Sequence, residues 1–164
     1  DREVLAVICT HGHAAHVTAA SGVAARDEAP VALHPRDRLL WREAHADGDP
    51  EIEMEDGGIF EVSDASLEVI HAPGHSPGSV LLYSEELKAV FAGDGVMAGG
   101  PVPHDGEYTD FPAQLSAIGE HLLTLPGPTR VLTGHGEETT VSAVQKRFDS
   151  WVNAGPLPLP ADPG

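Results

Sequence analysis

Thr10-His11-Gly12-His13-Ala14-Ala15-His16 places three histidines within six residues, directly behind the apolar run Val4-Leu5-Ala6-Val7-Ile8. A strand ending on that run delivers His11 and His13 together into one loop, with His16 close behind. Neutral imidazole is a good ligand for zinc, and a catalytic zinc takes about three protein ligands plus an open position for water. A single His-x-His reads equally well as a histidine-rich surface loop. Three further strand ends decide between the two readings. The apolar run 67–71 leads into Ala72-Pro73-Gly74-His75-Ser76-Pro77-Gly78-Ser79, the run 89–92 into Gly93-Asp94-Gly95, and the run 129–133 into Gly134-His135-Gly136. Each ends on a potential ligand flanked by glycine, where the backbone can turn sharply and come close to a bound ion. Asp94 alone would be an ordinary turn former. Together the four motifs point to a metal site.

Composition narrows the function. A chain of 164 residues that is 41% hydrophobic can bury a real core as one domain. A formal charge of −17, from 26 acids against 9 Lys and Arg, leaves no basic patch to follow a phosphate backbone. Nucleic-acid binding rests on such patches, so no nucleic-acid partner is expected and a small-molecule substrate is. The single cysteine, Cys9, excludes an internal disulfide and a zinc finger and fits a reducing, cytoplasmic compartment. Its place at the end of an apolar run favours a buried structural thiol over a nucleophile. No charged-then-apolar leader opens the chain, and no apolar run approaches the roughly 20 residues of a membrane span.

Periodicity predicts a buried parallel strand over 4–9 and an alanine-rich helix over 15–26, weakened by Ser21-Gly22. A short strand at 30–33 follows, then a helix opened by Pro35. Residues 45–58 read as an acidic, turn-rich surface connection. Runs at 59–62, 67–71, 79–83 and 89–92 predict an antiparallel meander. Residues 93–110 form a long loop with five glycines and two prolines, a length that tends to be functional. A helix over 111–125 carries Leu115, Ile118, Leu122 and Leu125 on one stripe. A last core strand at 129–133 precedes a helix over 139–153.

At these residues the chain resembles the metallo-β-lactamase superfamily, and most closely its glyoxalase-II-like bacterial hydrolases. Thr-His-Gly-His-x-x-His, Ala-Pro-Gly-His-Ser-Pro-Gly-Ser, Phe-Ala-Gly-Asp and Thr-Gly-His-Gly stand in the family's order, and the resemblance runs over 4–151. It implies an α/β fold, the αββα sandwich with metals at one edge between two sheets. It places that domain at 1–154, with a proline-rich tail at 155–164. It also implies that His11, His13 and His75 hold a first metal, that His16 and His135 hold a second, and that Asp94 bridges the two, with the attacking hydroxide held near it. The cofactor implied is zinc, one ion or two, with iron or manganese as alternatives. Zinc lowers the pKa of its bound water towards about 7 and polarises a carbonyl. The reaction expected is hydrolysis of a thioester or another activated ester; a lactone or lactam is less favoured. The charge disfavours the nuclease branch, and no C-terminal basic segment matches the thiol-tripeptide specificity of glyoxalases.

Two departures from the family pattern bear on activity. Ala15 stands where the family's His-x-His-x-Asp-His carries an aspartate that binds the second metal and helps orient the attacking water. The chain also begins on the strand that leads into this motif, whereas family members place several strands before it. The sandwich is therefore expected to lack its first N-terminal strands and to expose an apolar sheet face, or to be covered there by an oligomeric partner or a further segment. Ala15 supports an alternative, a metal-binding protein of this fold with little or no hydrolytic activity. Iron-dependent oxygen chemistry on the same ligands is a third reading. The other histidines read as structural or surface groups: His34 and His45 as solvated and His121 as an exposed helical residue. A place behind the site for His71, and a substrate contact for His104 near Asp105 and Tyr108, are the less favoured alternatives. Trp41 and Trp151 read as packing.

Overall fold

The computed structural model describes residues 3–101 and 108–155, so the His104–Asp105 region and the 156–164 tail lie outside the described residues. Strands β1 (Val7–Ile8), β2 (Val31–Leu33) and β3 (Ile52–Glu53) form a parallel sheet in that order. Helices α1 (Ala14–Val17), α2 (Ala20–Asp27) and α3 (Arg38–Ala44) accompany it. A second sheet takes β4 (Ile59–Val62), β5 (Ala65–His71), β6 (Val80–Ser84), β7 (Ala89–Gly93), β8 (Arg130–Thr133) and β9 (Thr139–Thr140) in sequence order. With it go α4 (Phe111–Glu120) and α5 (Val141–Ala154).

The alternation of side chains along the strands stacks these elements into four layers. On β2, Val31 and Leu33 join a core with Val17, Ala20, Ala24 and Trp41, while Ala32 between them faces the other way. On β6, Val80 and Leu82 meet Ala32, Met54 and Val69 in a core between the sheets. Leu81, between those two, turns to a third core with Ile118, Leu122, Val144 and Trp151. Three cores separating four layers make an αββα sandwich. Full burial of each large apolar side chain contributes about 1.5–3 kcal/mol, and Leu122, Val90 and Val131 are completely buried.

Helix ends follow local chemistry. Asp110 caps α4 by accepting from the Ala113 N–H, with Pro112 in the first turn, and Thr140 caps α5 by accepting from the Ala143 N–H. The helix expected over 15–26 is divided into α1 and α2, and the Thr18 hydroxyl donates back to the Ala14 carbonyl at the break. The 111–125 helix stops at Glu120 and finishes as a 3-10 turn over Leu122–Thr124. The 59–92 meander is antiparallel throughout, as its alternation predicts. Two strands fall outside the sequence expectation. β3 lies in the stretch read as a surface connection and is recruited by pairing of Ile52 with Ala32, and β9 is the start of the segment read as helix, paired with β8.

The strand expected to be buried over 4–9 is only half-buried, because β1 is the outer strand of its sheet. It shares a cleft of about 380 Å³ with β4, the outer strand of the larger sheet, lined by Leu5, Ile8, Ile52, Phe60 and Val62. Leu5, which precedes β1, and Ile59 and Val62 on β4 are exposed. Among the described residues, no helix is long and apolar enough to cross a membrane.

Candidate metal centre

Topology brings the four motifs to one edge. β5 and β7 each run antiparallel to β6, hence parallel to one another, and β8 runs parallel to β7. The C-terminal ends of β5, β7 and β8 therefore open on the same side. β7 and β8 finish in register at Gly93 and Thr133, which sets Asp94 beside Gly134 and His135. The β1 segment is tied to this edge by a hydrogen bond from the Val80 N–H to the Thr10 carbonyl at 2.9 Å.

The six residues singled out by sequence meet there. His13 Nδ1 lies 3.0 Å from His75 Nε2. Asp94 Oδ2 lies 3.0 Å from His16 Nε2, 3.3 Å from His135 Nε2, 3.7 Å from His75 Nε2 and 3.9 Å from His11 Nε2. His16 Nε2 and His135 Nε2 are 3.2 Å apart. Around a tetrahedral ion with bonds of about 2.0–2.1 Å, neighbouring donors sit about 3.3–3.4 Å apart, and these separations bracket that value. Donor atoms of His11, His13 and His75 lie within 4.8 Å of one another, as do those of His11, His16 and Asp94.

Protonation and packing agree with a cation site. His11 is buried, Thr10 Oγ1 sits 3.2 Å from its Nδ1, and its Nε2 has no hydrogen-bond partner among the described residues. A buried nitrogen left this way is costly unless something accepts its lone pair. Burial, then the neighbouring His75 and His16 rings, lowers the His11 pKa to about 2, which keeps it in the neutral, ligating form. Burial alone raises the Asp94 carboxyl, but the hydrogen bond from His16 and the surrounding imidazoles outweigh it and hold the group at about 2. Gly93, just before Asp94, has φ +51°, and a Cβ there would run into the Thr10 hydroxyl. The residues present fit a metal ion.

The two halves of the cluster differ. His11 and His75 are each about 1% exposed, whereas the side chains of His16 and His135 are 21% and 62% exposed. Ala15, on α1 between His13 and His16, is exposed and brings no donor atom. The more open half thus has two imidazoles and the shared carboxylate.

The model of the Metallo-beta-lactamase superfamily matches residues 1–135. The chain belongs to the metallo-β-lactamase superfamily. A probable metallo-hydrolase, YqgX of Bacillus subtilis (strain 168), is 33% identical over 86% of this chain and 72% of its own length. Hydroxyacylglutathione hydrolase GloC of Haemophilus influenzae is 28% identical over 94% of this chain and 78% of its own. Among solved structures, TTHA1623 in a di-iron-bound form is 33% identical, with a TM-score of 0.74 over 87% of this chain and 75% of that one. Within this metallo-β-lactamase fold the six clustered residues lie where the C-terminal ends of β5, β7 and β8 meet the loop after β1.

Sequence reading passed over two residues that hold this superfamily site together. Thr10 sets the His11 ring, and Gln114 on α4 donates from Nε2 to the Gly95 carbonyl at 2.9 Å and towards the Asp94 carbonyl at 3.4 Å. Neither residue type announces a ligand, and only glycine-rich surroundings hinted at close approach. Two histidines read as solvated are structural instead. His45 is half-buried between Ser21 Oγ and the Val17 carbonyl, against the Trp41 ring. His34 is buried and stacked on His71, with ring centroids 4.2 Å apart and planes 2° from parallel. The His71 Nε2–H donates to the Pro77 carbonyl in the loop that follows His75. Cys9 is buried, which pushes its thiol up to about 11, as a structural cysteine requires.

The His34 ring carries a pH prediction. Burial, then the neighbouring His71 and Arg36, lowers its pKa from 6.5 to about 4, against a smaller opposing effect of Asp56. Between those values His34 is neutral when folded and protonated when unfolded, so the unfolded state binds more protons. Its contribution to stability is therefore full above about pH 6.5 and is lost as the pH falls towards about 4. Urea unfolding of the metal-free protein should show a lower midpoint at pH 5 than at pH 7. The drop should shrink in His34→Gln, and an equal drop in both proteins would contradict the assignment.

Proposed function

We propose that this chain is a zinc-dependent hydrolase that cleaves a thioester or another activated ester. The observation that carries this reading is the convergence of His11, His13, His75 and Asp94, with a buried His11 Nε2 that has no hydrogen-bond partner among the described residues. His11, His13 and His75 would hold one ion, and His16, His135 and the shared Asp94 would contribute to a second. When bound, the metal would lower the pKa of a water molecule and polarise the substrate carbonyl. The protein residues set the geometry of that step. Asp94 is held ionised, so its carboxylate would serve as an anionic ligand beside the attacking water and not as a base that keeps a proton. Neutral His11 contributes a lone pair rather than a proton. The half-buried His16 and the exposed His135 leave the substrate an open approach from solvent.

The likeness to a probable metallo-hydrolase of B. subtilis and to a hydroxyacylglutathione hydrolase of H. influenzae supports hydrolysis, and the latter supports a thioester. The di-iron form of TTHA1623 supports iron as the alternative metal. Ala15 favours a second reading, a metal-binding protein with little or no turnover. Elemental analysis of the purified protein, followed by a panel of thioesters, oxygen esters and lactones, separates the two. At least one zinc per chain with chelator-sensitive thioester hydrolysis is expected. Full zinc loading with no turnover on any member of the panel would select the second reading.

A further inference from the structure

Asp37 ends a 3-10 turn over Pro35–Asp37, far in sequence from every metal motif, and is completely buried. Its Oδ2 accepts from the Gly12 N–H at 2.7 Å and from the Ser76 hydroxyl at 2.6 Å, and its Oδ1 accepts from the Gly78 N–H at 2.5 Å. Gly12 lies between His11 and His13, and Ser76 directly follows His75. One carboxylate therefore ties together the two loops that supply all three imidazoles of the buried half-site. All three partners are donors, and among the described residues no cation pairs with Asp37.

The surrounding chain is shaped to admit it. A Cβ on Gly12 would lie 2.8 Å from the Asp37 carbonyl and 2.9 Å from its Cβ, and a Cβ on Gly78 would lie 2.7 Å from its Cγ. Both glycines are needed for the loops to reach the carboxylate. Behind it, the Ser79 hydroxyl lies 2.7 Å from Ser76 Oγ and accepts from the Ser76 N–H at 3.1 Å. Since Ser76 donates to Asp37, Ser79 donates to Ser76, and the chain of hydrogen bonds runs one way towards the carboxylate. The neighbouring His34–His71 stack joins the Asp37 turn to the end of β5, which leads into the His75 loop.

We infer that Asp37 is the positioning residue that fixes the His11–His13 and His75 loops in ligating geometry before any metal arrives, so that metal affinity depends on it. The inference rests on the metal-site reading above. Hydrogen bonds to a carboxylate are among the strong ones, and those made here hold segments that are 62 residues apart at His13 and His75. Without them, ordering both loops falls to the ion. Residues that orient ligands without touching the metal change affinity by about 10–100-fold when removed.

Cobalt(II) titration, read by its visible absorption, tests the inference with the full chain. The comparison is wild type, Asp37→Asn, Ser76→Ala and a control core truncation on α5, Val144→Ala. Asp37→Asn should raise the cobalt Kd about 10–100-fold and alter the absorption band, while Val144→Ala, although less stable, should keep the wild-type Kd and spectrum. If Asp37→Asn does not fold, Ser76→Ala decides, with a several-fold weaker Kd expected. An unchanged Kd in the deciding variant, or equal weakening in Val144→Ala, overturns the positioning role. Wild type that binds no cobalt overturns the metal-site reading instead, and the two failures are distinct.

Discussion

His75→Ala is expected to abolish tight metal binding. His75 is about 1% exposed, 3.0 Å from His13 Nδ1 and 3.7 Å from Asp94 Oδ2, so it sits at the centre of the buried half-site. Its loss leaves two imidazoles where a catalytic zinc takes about three protein ligands. Zinc affinity should fall by more than about a hundredfold, the upper range for residues that act on a metal only indirectly. Thioester turnover should fall roughly a thousandfold, because Lewis-acid assistance amounts to several kcal/mol and each 1.4 kcal/mol is tenfold. Zinc should raise the melting temperature of the wild type and leave the variant unmoved, because only a state that binds the ion is stabilised by it. His121→Ala, at the end of α4, should behave as wild type in all three measurements. Retained zinc affinity in His75→Ala would show that the cluster is not a metal site.

Ala15→Asp should act in the opposite direction. The open half-site has His16, His135 and the shared Asp94, and the exposed α1 position between His13 and His16 contributes only a methyl group. A second dication in that half-site lacks both a fourth donor and a negative charge to offset it. Wild type is therefore expected to hold one zinc firmly and the second partially. Ala15→Asp should move the zinc content towards two per chain. Turnover should rise by up to about a hundredfold, the scale on which a 1 Å error in placing a reacting group acts. Elemental analysis and thioester kinetics on the same preparations check both parts. Zinc content and rate that both stay at wild-type values would show that Ala15 is not what limits the second site.

The sequence by itself determined the identity of the clustered residues, because those signals are local, and the fold class through the family resemblance that the same motifs carry. Glycine-flanked histidines and an aspartate at the ends of apolar runs are legible within a few residues of chain. The 59–92 meander is legible for the same reason, since alternation and turn residues specify antiparallel neighbours. The tertiary structure alone decided what depends on partners distant in sequence. Ile52 becomes a strand only because Ala32 is there to pair with it. The leading strand loses half its burial because its sheet ends at that strand. His34 is a buried stacking partner because His71 lies over it, although its own neighbours read as solvated loop. Asp37 shows the difference most clearly. Within its own segment it is an acid in the first turn of a helix. Its three hydrogen bonds reach residues 25, 39 and 41 positions away, and that distance is the physical reason no local pattern reveals it.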